Sequence, residues 1–175
     1  MLGVIGNWCA DDLLELTGRV VVVADGAHGV ALAVAAALCD SGAHVVVTFP
    51  PKDVDVDRAR LVLTGRPGPA TLVELPPHDA DAWLELLEGV HERHDRLDAC
   101  VHRATPAPLR PAAEGQAKVA AGRLVLLTGP GADPVEPLAD LDLLVDVVPV
   151  PAHDPDDAPA AHDRVARAVA LRCAR

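Results

Sequence analysis

The sequence predicts an α/β fold, a doubly wound parallel sheet of about six strands in the order 3-2-1-4-5-6. Short runs rich in Val and Leu alternate with segments of helical periodicity along the 175 residues. Half of the residues are hydrophobic but only 2% are aromatic, which is typical of a buried parallel sheet with helices on both faces. Such alternation favours parallel pairing with right-handed crossovers.

The elements follow in order along the chain. Six apolar runs are short enough to be buried strands: Val20–Ala24, His44–Thr48, Thr71–Leu75, Leu97–Val101, Arg123–Thr128 and Leu143–Val148. Three segments are predicted as helices: Gly29–Ser41, Ala80–His94 and Ala158–Cys173. Prolines crowd the connections, where a missing N–H donor does little harm. We predict one domain over residues 1–175, with residues 1–15 as an extension over the sheet.

Charge and cysteine content restrict the function. The formal net charge is −11, and basic residues are not clustered, so the sequence argues against binding to nucleic acid or to an anionic membrane. Residues 1–10 lack the basic start of a signal peptide, and no apolar run is long enough to span a bilayer. The four cysteines form no CxxC pair, so we predict reduced thiols in a cytoplasmic protein, with Cys39 and Cys100 buried.

Three segments carry motifs: ADGAHGVA at residues 24–31, HRAT at residues 102–105 and GRLVLLT at residues 122–128. These segments resemble motifs of the short-chain dehydrogenases/reductases. Residues 24–31, ADGAHGVA, stand at the TGxxxGxG turn of that family, with Asp25, Gly29 and Ala31 at its three glycine positions. Residues 102–105, HRAT, stand at its Asn-Asn-Ala-Gly motif, and residues 122–128 resemble the strand that ends at its catalytic serine. The resemblance covers nearly the whole chain and implies a truncated Rossmann-like member of that family.

The chain departs from the family pattern where the chemistry takes place. The connections after strands four and five are short, so their helices are predicted to be shortened. The family has a YxxxK helix between strands five and six, but residues 129–142 contain neither Tyr nor Lys, and the whole chain contains no Tyr. In the family this Tyr donates the proton, because the neighbouring Lys and the cofactor ribose lower its pKa. The resemblance therefore implies that conventional oxidoreductase activity is lost.

The cofactor turn is also altered. A carboxylate at Asp25 would repel a pyrophosphate, unless it caps the following helix through backbone N–H groups. Phe49 follows strand two, where an acid would hold the adenosine ribose, although Lys52 or Arg58 could meet a 2′-phosphate. We therefore interpret the cofactor turn as vestigial and expect no cofactor, with NADP as the alternative. Its residues are Gly26, His28, Gly29, Ala31 and Lys52.

The remaining catalytic candidates are His28, His102 and Thr128. Both histidines are predicted at the carboxyl edge of the sheet, where open α/β sheets bind ligands, and histidine titrates near neutral pH. Thr128 could replace the substrate-orienting serine of the family. His91 and His94 are three residues apart on a predicted helix with no third ligand evident, so we predict no metal site.

Three functions remain open. The first is a non-reducing partner or scaffold subunit in bacterial metabolism, with specialised metabolism as one setting. It would form a homo- or hetero-oligomer, for example with a full-length relative. The second is a cofactor-independent cyclase, isomerase or dehydratase that holds a small apolar metabolite in the old cofactor cleft. The third is an atypical NADP-dependent ketoreductase.

Overall fold

The computed structural model describes residues 15–103, 106–119, 122–129, 138, 141, 143–150 and 158–174. Its six strands form one parallel sheet in the order β3-β2-β1-β4-β5-β6, which confirms the predicted fold class and strand order. The predicted extension lies outside the described residues except for Glu15, and the single domain over residues 1–175 stays a prediction. None of the described helices combines the length and the hydropathy that crossing a bilayer requires.

The strands lie close to their predicted positions. They are β1 (Val20–Val23), β2 (His44–Phe49), β3 (Ala70–Glu74), β4 (Ala99–Arg103), β5 (Arg123–Thr128) and β6 (Leu144–Pro149). The main difference is in β4, which begins and ends two residues later than predicted. His102 therefore belongs to the ladder itself, opposite Leu126 of β5, instead of following the strand.

The helices are α1 (Gly29–Asp40), α2 (Val56–Leu63), α3 (Ala80–His94), α4 (Pro106–Val119) and α5 (Ala158–Cys173). They include α2, which the sequence did not predict, and α4, which stands where a shortened helix was expected after strand four. The shortened helix expected after strand five falls on residues 129–142, most of which lie outside the described residues.

The short helix α2 buries only Ala59 and Leu63, which is too small an apolar face to detect by periodicity. The helix α4 fills most of the short connection after β4, although its segment begins with a Pro-rich stretch that we assigned to a loop. Pro106 and Pro108 lie in its first turn, where the N–H groups have no partner within the helix, whereas Pro111 lies inside the helix.

The core lies on both faces of the sheet. On one face, α1 and α5 pack side chains such as Leu38 and Val169 against Val21 and Val23 of β1. On the other face, α3 and α4 pack against Val20, Val22 and Leu124, with Trp83 and Leu87 of α3 buried. Cys39 and Cys100 are buried, as predicted, and Cys173 is buried as well. The central strands are therefore covered on both sides, and only their ends are left for a polar site.

The amino edge of the sheet carries a compact charged network around Asp98. One carboxylate oxygen accepts a hydrogen bond from Nη1 of Arg19 at 2.7 Å, and the other accepts one from the backbone N–H of Val20 at 2.8 Å. Arg96 donates to both oxygens. Burial acts to raise the pKa of Asp98, but these hydrogen bonds outweigh it and hold the pKa below its usual value. This edge is thus tied together by satisfied charges.

Candidate functional site at the carboxyl edge

The Gly-rich turn between β1 and α1 is fastened to strand β2. The N–H of Gly26 donates to the carbonyl of Thr48 at 3.0 Å, and the N–H of Asp25 donates to the hydroxyl of the same residue at 3.2 Å. A Cβ atom on Gly26 would lie 2.8 Å from Cγ1 of Val47, so this close approach requires glycine. These two N–H groups are used within the protein, and the anion-binding capacity of the turn therefore depends on the helix that follows.

Helix α1 begins without a side-chain cap. His28 is the N-cap residue, with extended backbone angles, but its side chain makes no capping hydrogen bond, and the first turn contains no acidic residue. The prediction that Asp25 caps this helix is wrong, because the N-cap position belongs to His28, three residues further along the chain. The uncapped N-terminal turn offers backbone N–H groups and the positive end of the helix dipole to an anion.

Two carboxylates and one imidazole meet in front of this turn. Asp53, from the loop after β2, has a side chain that is only 7% exposed, and its Oδ2 lies 3.9 Å from Nδ1 of His28. One ligand atom from each of Asp25, His28 and Asp53 lies within 4.8 Å of the other two. Burial raises the pKa of Asp25, His28 and Arg103 oppose that rise, and Asp53 adds to it. The three side chains thus form a concentrated acidic site beside the helix N-terminus.

Sequence reasoning missed Asp53. The acid is expected at the end of strand β2, where Phe49 and Pro50 stand instead. The loop that follows turns at Lys52, which has left-handed backbone angles (φ 67°), and this brings Asp53 back toward the Gly-rich turn. The signal that could have found it is an acid roughly twenty residues beyond the turn, a spacing that allows for such a loop.

A cavity of about 150 Å³ opens next to this cluster, at the carboxyl ends of β1 to β4. Its wall is mostly apolar, and its polar groups are few. It is lined by Ala24, Asp25, Thr48, Phe49, Pro50, Leu75, Pro77, Trp83, His102 and Arg103. An apolar pocket with a few convergent polar groups is the usual form of a small-molecule site.

His102 and Trp83 form the inner end of the cavity. Their ring centroids are 5.2 Å apart, and the indole N–H of Trp83 is fixed by donating to the carbonyl of Pro77 at 3.1 Å. His102 is only 4% exposed, and burial lowers its pKa to about 4, so the ring is neutral at physiological pH. Its Nε2 is buried and has no hydrogen-bond partner. A buried polar atom without a partner is rare in a folded protein and marks a place where a ligand atom would be accommodated.

The predicted site residues separate into two groups. Gly26, His28 and Gly29 belong to the turn, Ala31 is buried in the first turn of α1, and His102 lies in the cavity wall. Lys52 is exposed in the loop after β2, beside Asp53. Thr128, the last residue of β5, is buried and does not line this cavity. The structure therefore brings the two histidines close to Asp25, whereas Thr128 lies at the same edge but outside the cavity, and the roles of all these residues stay predictions.

Solved structures with the same architecture identify the fold. A metagenomic short-chain oxidoreductase in complex with NADP is 21% identical, the match covers 92% of this chain and 93% of that chain, and the TM-score is 0.62. A short-chain dehydrogenase from Burkholderia cenocepacia in complex with NADP is 17% identical over 91% of each chain, with a TM-score of 0.68. This chain has the fold of the short-chain dehydrogenases. No family model matches the sequence, and no curated protein matches it.

A third neighbour also carries a nucleotide. The NADH-dependent reductase A1-R′, complexed with NAD, is 12% identical to this chain, covers 92% of it and 90% of its own length, and has a TM-score of 0.67. The expectation that no cofactor binds is therefore wrong, because these short-chain dehydrogenase neighbours hold NADP or NAD and point to a nucleotide cofactor. That expectation rested on the carboxylate of Asp25 in the turn, on Phe49 in place of an acid for the ribose, and on the missing Tyr–Lys helix.

Proposed function

We propose that this protein binds a nicotinamide adenine dinucleotide at the carboxyl edge of its sheet and acts as a non-reducing subunit. The observation that carries the proposal is the cavity beside the uncapped N-terminus of α1, at the point where the strand order of the sheet reverses. Open α/β sheets bind their ligands at such a switch point. The NADP and NAD complexes among proteins of the same fold support this assignment.

The cavity suits one ring system of the cofactor. Its volume of about 150 Å³ is roughly half of the lower limit of about 300 Å³ for pockets that enclose a whole drug-sized ligand. The rest of the cofactor would extend along the edge toward α1, where the first-turn N–H groups favour a diphosphate. A base in the cavity would contact Trp83 and would give Nε2 of His102 the partner that it lacks.

The non-reducing role rests on residues that the chain does not contain. No tyrosine occurs in its 175 residues, and residues 129–142 include no lysine, so the Tyr–Lys proton donor of the short-chain dehydrogenases cannot form. Thr128 is buried at the end of β5 and offers a hydroxyl but no proton of suitable pKa. Hydride transfer to a carbonyl needs such a proton, so we expect bound cofactor without turnover of carbonyl substrates.

A subunit role requires a surface for a partner. The edge strand β6 leaves Leu144 67% and Val147 38% exposed, and Leu171 of α5 is 41% exposed. An edge strand with apolar side chains is a ready contact for another chain. Light scattering of the purified protein, alone and mixed with a full-length relative, tests this part, and a strictly monomeric protein in both samples would refute it.

The test of the proposal separates binding from reduction. Calorimetric titration with NAD, NADP and their reduced forms is expected to show saturable binding to the wild type. His102→Leu should weaken binding, whereas His91→Leu should not, because His91 also has a buried ring nitrogen without a partner but does not line the cavity. The absorbance of the reduced nicotinamide should then stay constant with a panel of ketones. Absence of binding would refute the whole proposal, and turnover would refute only the non-reducing role.

A further inference from the structure

Asp25, His28 and Asp53 have the composition of a metal site. They supply two carboxylate oxygens and one imidazole nitrogen, all within 4.8 Å of one another, and the three side chains are partly buried. Asp25 also lines the cavity, so the cluster and the cavity share a wall. Carboxylates suit Mg²⁺ and Mn²⁺, and imidazole is a common ligand of divalent transition metals.

One buried polar atom in the cluster, Nδ1 of His28, lacks the partner that burial demands. It neither accepts nor donates a hydrogen bond. The Asp53 side chain is more than nine-tenths buried. Its Oδ1 accepts from the N–H of Asp55 at 2.8 Å, whereas its Oδ2 has only Nδ1 of His28 at 3.9 Å, beyond hydrogen-bond distance. The unpartnered nitrogen of His28 thus lies close to the Asp53 carboxylate, and one ligand atom of Asp25 lies within 4.8 Å of one from each of the other two residues.

The charged groups around the cluster do not compensate the negative charge of its two carboxylates. Asp25 and Asp53 repel each other, and the cations that approach the cluster are His28, when protonated, and Arg103, which acts on Asp25. Lys52 is next to Asp53 in sequence, but it is exposed. By contrast, Asp98 at the opposite edge is held by two arginines. A buried carboxylate without such a partner is stable when it coordinates a metal ion.

We propose that Asp25, His28 and Asp53 hold a divalent cation, Mg²⁺ or Mn²⁺, that bridges the protein to the diphosphate of the dinucleotide. This inference rests on the proposed function. Mg²⁺ is commonly bound by one or two carboxylates plus the phosphates of a nucleotide, because it retains octahedral geometry and some of its water. Three protein ligands leave positions for phosphate oxygens and water.

The bridge resolves a conflict at this edge of the sheet. The uncapped turn of α1 attracts a diphosphate, whereas the carboxylates of Asp25 and Asp53 repel one. A cation between them converts the repulsion into two attractions, one to the carboxylates and one to the phosphates. Cation and cofactor should therefore each strengthen the binding of the other by the same factor.

The first experiment uses Mn²⁺ alone and does not depend on the cofactor. Electron paramagnetic resonance of free Mn²⁺ is followed during titration with the full-length protein. We expect one bound ion in the wild type and loss of binding in Asp53→Asn and in His28→Gln. Asp57→Asn is the matched control, since it removes one exposed carboxylate from the first turn of α2 and should bind as the wild type does. Circular dichroism establishes that each variant is folded.

The second experiment measures the coupling. NAD and NADP are titrated calorimetrically in Mg²⁺ and in EDTA, and we expect affinity to rise by about 5- to 150-fold with the cation, the usual range of coupling between two sites. The rise should disappear in Asp53→Asn and persist in Asp57→Asn. Equal cofactor affinity with and without the cation would refute the bridge but leave the proposed function standing. No Mn²⁺ binding would refute the metal site, and absence of cofactor binding in both conditions would refute the proposed function as well.

Discussion

The two edges of the sheet use charged residues in opposite ways. At the amino edge, Asp98 accepts hydrogen bonds from two arginines and from a backbone N–H, so its charge is fully compensated. At the carboxyl edge, Asp25 and Asp53 face each other, and buried nitrogens of His28 and His102 have no hydrogen-bond partner. Native proteins satisfy nearly all of their buried polar groups, so the contrast indicates that the carboxyl edge is arranged for a ligand and the amino edge for stability.

The largest expected effect concerns His102 and pH. Burial lowers its pKa to about 4 in the folded protein, whereas the unfolded chain has the ordinary value of about 6.5. Between these two pH values the unfolded state therefore binds more protons than the folded state does. The free energy of unfolding is highest above pH 6.5 and decreases as the pH falls toward 4. The protonation of His102 alone should lower the free energy of unfolding by about 3 kcal/mol over this range. Urea unfolding of wild type and His102→Leu across this range measures it, and equal pH slopes would disprove the buried neutral state.

The next effect is at the amino edge. Asp98→Ala removes an acceptor that serves Arg19, Arg96 and the N–H of Val20. We expect a loss of about 2 kcal/mol in the free energy of unfolding, because hydrogen bonds to charged groups contribute roughly 1.5–3 kcal/mol and both arginines are partly exposed. Urea unfolding at neutral pH provides the measurement. A loss below about 0.5 kcal/mol, the range of an ordinary surface change, would remove the distinction between the two edges.

The third effect has the opposite sign. His28 is an N-cap residue without a capping hydrogen bond, so His28→Ser should supply the missing acceptor and raise the free energy of unfolding by about 1 kcal/mol. The same change removes the imidazole and should abolish Mn²⁺ binding. Thermal unfolding and the Mn²⁺ titration are read on the same sample. A destabilised variant would show that His28 contributes to the fold in a way that its contacts do not reveal.

The smallest effect is at Asp25. This residue has left-handed backbone angles, which asparagine tolerates well, and its carboxylate is desolvated and faces Asp53. Asp25→Asn should therefore leave stability unchanged or raise it by about 0.5 kcal/mol at neutral pH. Since the raised pKa of Asp25 makes its ionisation unfavourable to folding, the gain should shrink as pH falls and the wild-type carboxyl becomes protonated. Urea unfolding of the wild type and of Asp25→Asn at neutral and acidic pH measures the gain in stability and its decrease with pH.

Parts of this contrast could be predicted from the sequence. The strand order follows from the apolar runs and the right-handed crossover rule. The position of His28 and His102 at the carboxyl edge follows from their place in the sequence, because His28 comes shortly after β1 and His102 comes near the end of β4. Asp53 could not be found, because its position depends on the left-handed turn at Lys52. The burial of His102 depends on Trp83, which periodicity showed only as one residue of an apolar helix face.

The cofactor prediction failed for a related reason. It rested on single residues such as Asp25 and Phe49, whereas the capacity to bind an anion depends on the uncapped N-terminus of α1 and on the cavity beside it. Helix α4 was expected only as a shortened helix without bounds, because prolines occupy the first half of its segment. In both cases the tertiary arrangement decides what a local motif can do, and the residues alone do not specify it.

One measurement tests the contrast between the edges most directly. The melting temperature is recorded with and without saturating dinucleotide and Mg²⁺ for the wild type, Asp98→Ala and His102→Leu, because a ligand that binds only the folded state raises it. The account predicts a clear rise for the wild type and for Asp98→Ala, although the latter starts from a lower value, and a much smaller rise for His102→Leu. No rise in the wild type, or an equal rise in all three proteins, would contradict it.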